Sequence, residues 1–98
     1  MTNMMLKTWF YDKIQDEAFL KNKTIVWDGQ FEYNENCEEI KVYTIKVNSI
    51  IRETEKAIYV DCCYWYHGRT VNFTEYTGYK VWIPKSVILK YKDGLVVA

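Results

Sequence analysis

The chain has 98 residues, with 13 basic and 13 acidic side chains and a formal net charge of zero. A neutral balance argues against a protein that grips nucleic acid mainly through its phosphates, and the length fits one domain, residues 1–98. No stretch approaches the ~20 apolar residues of a membrane-spanning helix. Aromatic residues are frequent (nine Tyr, four Trp, four Phe), and large rings let a short chain bury enough apolar area for a core. Cys37, Cys62 and Cys63 are odd in number and two are adjacent, so a secreted disulfide framework is not expected. The N-terminal segment lacks a basic stretch followed by an apolar one, so it does not read as a signal peptide. The chain is expected to be intracellular.

Residues 1–22 read as an amphipathic helix. Leu6, Phe10, Ile14 and Ala18 recur at four-residue spacing, Trp9 and Phe19 or Leu20 widen the stripe, and Lys7, Asp12, Lys13, Gln15, Asp16 and Glu17 fill the other side. Thr2 or Asn3 suits an early cap and Thr8 a later one. Such a helix is not stable alone and must pack on a sheet. A partner-binding role with Trp9 exposed is the sharper alternative.

Asn22-Lys23 ends the helix. The β region spans 24–98. Thr24 to Trp27 is a short strand, Asp28-Gly29 reads as a turn pair, Phe31 and Tyr33 resume an extended run, and Asn34 to Asn36 is a loop tip. Glu39 to Ile51 is the longest extended run, with apolar residues on both parities that fit either cover on both sides or a bulge near Asn48-Ser49, and a polar turn follows at Arg52 to Glu55. In Lys56 to Tyr66, Ile58, Val60, Cys62, Tyr64 and Tyr66 form the core face. Ala57, Tyr59, Asp61, Cys63 and Trp65 form a half-exposed face. A turn at His67-Gly68-Arg69, a strand holding Val71 and Phe73, and a turn at Thr77-Gly78 follow. Tyr79, Val81 and Ile83 then alternate with Lys80 and Trp82. Pro84 cannot continue a ladder, so a 3₁₀ turn is expected at Pro84 to Val87. A last strand follows from Leu89, with Asp93-Gly94 and Leu95 to Val97 beyond it.

The segment Trp82-Ile83-Pro84-Lys85-Ser86-Val87-Ile88 is similar to the strand, 3₁₀ turn and last strand of SH3-like barrels. The pairing of Thr54 to Val60 with Val81 to Ile88 also resembles small phage and prophage domains of low-GC bacteria, over about a third of the chain. That resemblance implies a phage-encoded accessory protein in the cytoplasm of a bacterial host. By analogy it implies a binder of host machinery, such as an inhibitor of a CRISPR nuclease or another defence component.

Chemistry-bearing motifs are sparse. Adjacent strand residues point to opposite faces, so Cys62 and Cys63 do not share a metal, and Cys37 and His67 have no supporting spacing. Cys63 and His67 across a turn, with Asp61 near, are a weak basis for a nucleophile and base, because the histidine is solvated there. No phosphate-cradling glycine loop exists. No enzyme, cofactor or metal is therefore expected.

Charge segregation carries more. Asp28, Glu32, Glu35, Glu38 and Glu39 fall in a segment without Lys or Arg, and Lys80, Lys85, Lys90 and Lys92 in one without Asp or Glu. An acidic element can dock on a basic partner groove and steer the encounter. Tyr59, Trp65, Tyr76, Trp82, Arg69 and Lys80 suit a stacking surface or a protein hot spot. The alternative for Trp65 and Trp82 is burial under the helix.

These readings give an α+β, mostly β domain. An N-terminal helix packs on a bent five- or six-stranded antiparallel sheet, with closure into an SH3-like small barrel as its extreme form. Phe10, Ile14, Ile45, Val47, Ile58, Val60, Phe73, Val81 and Ile83 are its expected core. The expected function is non-enzymatic binding of a host protein through Asp28, Glu32, Glu35, Glu38, Glu39, Trp65, Arg69, Trp82 and Lys85. The alternative is nucleic-acid binding through Arg69, Lys80, Trp82 and Lys85. A homodimer through exposed strand edges is a further arrangement.

Overall fold

The computed structural model describes residues 2–33, 35–66 and 74–91. In chain order the elements are β1 (Thr2–Leu6), α1 (Thr8–Phe19), β2 (Lys23–Ile25), β3 (Trp27–Tyr33), β4 (Glu39–Glu53), β5 (Ala57–Tyr66), β6 (Tyr76–Pro84), a 3₁₀ turn (Lys85–Val87) and β7 (Ile88–Tyr91). One helix packs on a seven-stranded antiparallel sheet, so the expected fold class holds. The sheet is not closed into a barrel: among the described residues β6 and β7 form its outer edges and do not pair with each other. The strand count is also higher than expected, because the N-terminal segment adds β1.

That segment is the main departure from the helix expected over 1–22. Met4 and Leu6 point into the core and are fully buried, a spacing of two that belongs to a strand. Leu6 also lies four residues before Phe10, so a helical period can be drawn through it. Tertiary pairing decides: β1 pairs with β4 from Thr2↔Val47 to Leu6↔Tyr43, and with β7 on its other side. The helix starts after Lys7 and turns Phe10, Tyr11, Ile14 and Ala18 inward. Trp9, Phe19 and Leu20 stay exposed, so Tyr11 rather than these residues widens the stripe. The chain leaves the helix through Asn22 at φ 59°, a left-handed conformation that asparagine tolerates.

The topology follows from two long strands that diverge. β4 pairs with β5 through its C-terminal half and with β3 through its N-terminal half. β2 pairs with the C-terminal end of β5. Val26 joins β2 to β3 between them: its N–H donates to the Cys63 carbonyl and its carbonyl accepts from Lys46 N–H, both at 2.9 Å. β4 absorbs the bend with irregularities at Val47/Ser49 and Ile50/Arg52, so of the two alternatives for this run the bulge near Asn48-Ser49 is the one present.

The two described glycine pairs read as turns lie inside strands. Asp28-Gly29 is within β3, where a β-carbon on Gly29 would sit 3.2 Å from both Lys41 Cε and the Trp27 ring. Thr77-Gly78 is a bulge in β6, opposite the Cys62/Tyr64 register shift, with Gly78 at φ 113°. The turn after β4 is Thr54 to Ala57, where Thr54 N–H donates to the Ala57 carbonyl at 2.8 Å. Pro84 does end β6, and the 3₁₀ turn falls where the proline placed it.

The core lies between α1 and the inner sheet face. It contains Phe10, Ile14, Ile45, Val47, Ile58, Val60 and Ile83 as expected, with Val81 partly buried against it. Leu6, Ile25, Cys62, Tyr64 and Tyr79 complete it. Cys63, expected to be partly exposed, is buried on the opposite face. The expected core residue Phe73, the turn at His67 to Arg69, Val71, and the segment from Lys92 to Val97 lie outside the described residues, as does the loop-tip residue Asn34.

Candidate functional site

β3 and the first half of β4 form a two-stranded arm, paired in register from Trp27↔Ile45 to Tyr33↔Glu39. Alternation along these strands sorts its side chains. One face carries Trp27, Phe31 and Tyr33 together with Glu39, Lys41 and Tyr43. The other carries Asp28, Gln30 and Glu32 together with Ile40, Val42 and Thr44. Glu35 and Glu38 lie in the connection between the strands. All five acidic residues singled out from the sequence therefore belong to one element.

The arm also carries exposed apolar side chains. Phe31 is 64% exposed and Tyr33 71%. Ile40 on the other face is also exposed. Large apolar side chains left open next to carboxylates have the composition of a contact surface rather than of an ordinary solvated hairpin. Sequence reading found the acidic half of this surface and missed Phe31, Tyr33 and Ile40 as contact residues, although the alternation of Phe31 and Tyr33 with Gln30 and Glu32 was visible.

The base of the arm is fixed by aromatic packing. Tyr11 of the helix stacks on Tyr43 with ring centroids 4.2 Å apart and planes 3° apart. Trp27 lies 5.7 Å from Tyr43 and 6.1 Å from Tyr11. Lys41 places its ammonium 5.2 Å from the Tyr43 centroid, and Thr8 Oγ1 donates to the Lys41 carbonyl at 3.2 Å. Burial pushes the Tyr11 phenol up to about 12, opposed by its hydrogen bond with Gln15, so the packed ring is neutral at ordinary pH.

The expected aromatic and basic surface lies elsewhere, on the outer face of β5 and β6. Trp82 is 44% exposed and stacks on Tyr59 at 4.8 Å. By strand alternation Trp65 and Lys80 belong to this face too, so Trp65 and Trp82 do not pack under the helix. Tyr76 does not join them, because the bulge at Gly78 turns it towards Tyr64 and Tyr66, at 5.8 and 5.1 Å. Lys85 is bound by Glu53 at 2.6 Å, and Lys80 stands opposite Asp61 in register. Asp61 itself accepts from Asn48 Nδ2 and from Gly78 N–H. Lys85 is thus paired with a carboxylate, and Lys80 faces one across the strand pair. Arg69 and Lys92, and the side chain of Lys90, lie outside the described residues. Sequence-predicted contact residues therefore separate into two regions: Asp28, Glu32, Glu35, Glu38 and Glu39 on the arm, and Trp65, Trp82 and Lys85 around β5 and β6.

Among the described residues no three His, Cys, Asp or Glu side chains gather as metal ligands, and no helix is long and apolar enough to cross a membrane. Cys62 and Cys63 point to opposite faces, and burial raises both thiols, Cys62 to about 12. No family model, curated protein or solved structure matches the chain.

Proposed function

We propose that the chain is a non-enzymatic binding module whose contact element is the β3–β4 arm, and that its target is a protein with a basic surface. The observation that carries this reading is the meeting of five carboxylates with exposed Phe31, Tyr33 and Ile40 on one two-stranded element. The carboxylates supply long-range attraction and the rings supply contact area with little entropy to lose. The resemblance of Thr54 to Val60 paired with Val81 to Ile88 to phage and prophage domains supports a more specific form. In it the chain acts in the cytoplasm of a bacterial host, where it occupies a basic groove of a host protein and inhibits it. A host nuclease channel is a groove of that kind. Nucleic-acid binding through Arg69, Lys80, Trp82 and Lys85 is the competing reading, and the carboxylates beside Lys80 and Lys85 weigh against it.

Affinity capture from a low-GC bacterial lysate tests the choice. The lysate is treated with nuclease and the bound fraction is washed at low and then high salt. A stoichiometric protein that persists through both and is lost with Phe31→Ala/Tyr33→Ala supports the proposal. Retention only of nucleic acid, released by nuclease or salt, overturns it in favour of the competing reading.

A further inference from the structure

A cleft of about 220 Å³ opens between α1 and the start of β3, lined by Tyr11, Gln15, Asp16, Phe19, Thr24 and Trp27. Among the described residues no Lys or Arg lines it. Its walls are aromatic: Trp27 is 40% exposed and Phe19 65%, with the neutral Tyr11 ring beneath them. Its one charge is the Asp16 carboxylate, which is exposed and has no hydrogen bond or ion pair among the described residues.

The cleft is built rather than incidental. Gln15 reaches across it and holds both backbone groups of Ile25: Nε2 donates to the carbonyl and Oε1 accepts from the N–H, each at 2.9 Å. Gln15 Nε2 also lies 3.2 Å from the Tyr11 hydroxyl oxygen. These bonds fix the separation of the helix from β2 and thereby the width of the cleft. Trp27 is braced from behind by Tyr43.

Aromatic walls with a single carboxylate and no competing cation suit a flat, delocalised cation. A guanidinium stacks on aromatic faces and donates two parallel hydrogen bonds to a carboxylate, which an ammonium cannot do in one plane. We propose that this cleft receives an arginine side chain of the partner, its guanidinium against Trp27 and Phe19 and paired with Asp16. The inference rests on the reading of the arm as a contact for a basic protein, because the cleft lies at the arm's base. It adds a named anchor to that contact.

The test uses the whole chain and needs no partner. N-acetyl-arginine amide, N-acetyl-lysine amide and N-acetyl-glycine amide are titrated while aromatic and amide NMR signals are followed. The expected result is a saturable shift confined to Trp27, Phe19, Asp16 and Gln15, strongest for arginine and absent for glycine. Asp16→Asn, an exposed helix position that leaves the fold intact, weakens it by about tenfold. Phe31→Ala/Tyr33→Ala leaves it unchanged, so failure of the arm and failure of the cleft are separable. Equal shifts with arginine and glycine amides overturn the assignment, as do arginine shifts centred on Tyr59 and Trp82, or arginine binding that Asp16→Asn leaves intact.

Discussion

Lys23 places its ammonium 4.7 Å from the centroid of the Tyr64 ring. Tyr66 and Tyr79 stand 5.9 and 5.8 Å from the same nitrogen, so one cation at the start of β2 is held among three rings from β5 and β6. The contact ties the short β2 to the sheet at the point where β4 and β5 part. Lys23→Met removes the charge and keeps the stem. It is expected to lower stability by about 1 kcal/mol, whereas Lys23→Arg keeps most of it. Urea denaturation at low and high salt checks both.

Gln15 makes two side-chain hydrogen bonds from the helix to β2, both with Ile25. Gln15→Ala leaves the Ile25 amide and carbonyl unmatched in a partly buried place. The expected loss is about 1–3 kcal/mol. At roughly 4–8 °C per kcal/mol for a domain of this size, a thermal melt resolves it. Hydrogen exchange at the Ile25 amide should accelerate with it.

Gly78 has open space where a β-carbon would sit among the described residues, but it sits at φ 113°. Gly78→Ala therefore meets no described neighbour, and its cost is backbone strain, about 1–3 kcal/mol. Gly78→Asn should be no better, because its φ lies far from the left-handed region near +57°. A loss well below 1 kcal/mol in the alanine variant would show that the bulge relaxes.

Stability should fall in alkali for a reason internal to the core. Burial raises Tyr11 and Cys62, each to about 12, and Tyr64 is raised chiefly by the proton it donates to Tyr66. Each group is an acid whose folded pKa exceeds its unfolded value. The unfolded chain releases these protons at about pH 8.5 for cysteine and 10 for tyrosine, and the folded chain later. Their contribution is complete below those values and is lost as pH rises towards 12. A Tm that is flat to about pH 8 and declines above it is expected, with Cys62 slow towards thiol reagents and the exposed Cys37 fast.

Much of the fold was legible. The alternation of Ile58, Val60, Cys62 and Tyr64 named the core face of β5, and Pro84 placed the 3₁₀ turn. Local signals misled where two periods shared a residue or where a glycine served a strand. Leu6 satisfies both a four-residue and a two-residue spacing, and only its pairing with Tyr43 of β4 selects the strand. Gly29 and Gly78 read as turns from their neighbours, but one makes room beside Trp27 and the other permits a bulge. The acidic half of the arm was readable because its five carboxylates are close in sequence. The cleft was not, because Asp16, Phe19 and Trp27 meet only once Gln15 has joined the helix to β2. The ring cluster around Lys23 joins residues from three strands and has no sequence signature.

The central claim is that the arm, rather than the outer face of β5 and β6, makes the contact. The most direct test is the affinity of the captured partner, measured calorimetrically after nuclease treatment, for three forms: the natural chain, Phe31→Ala/Tyr33→Ala, and Trp82→Ala. The account predicts a loss of about thirtyfold or more for the arm variant and an unchanged affinity for Trp82→Ala. Unchanged affinity for the arm variant with a large loss for Trp82→Ala would contradict it and move the contact to the outer face of β5 and β6.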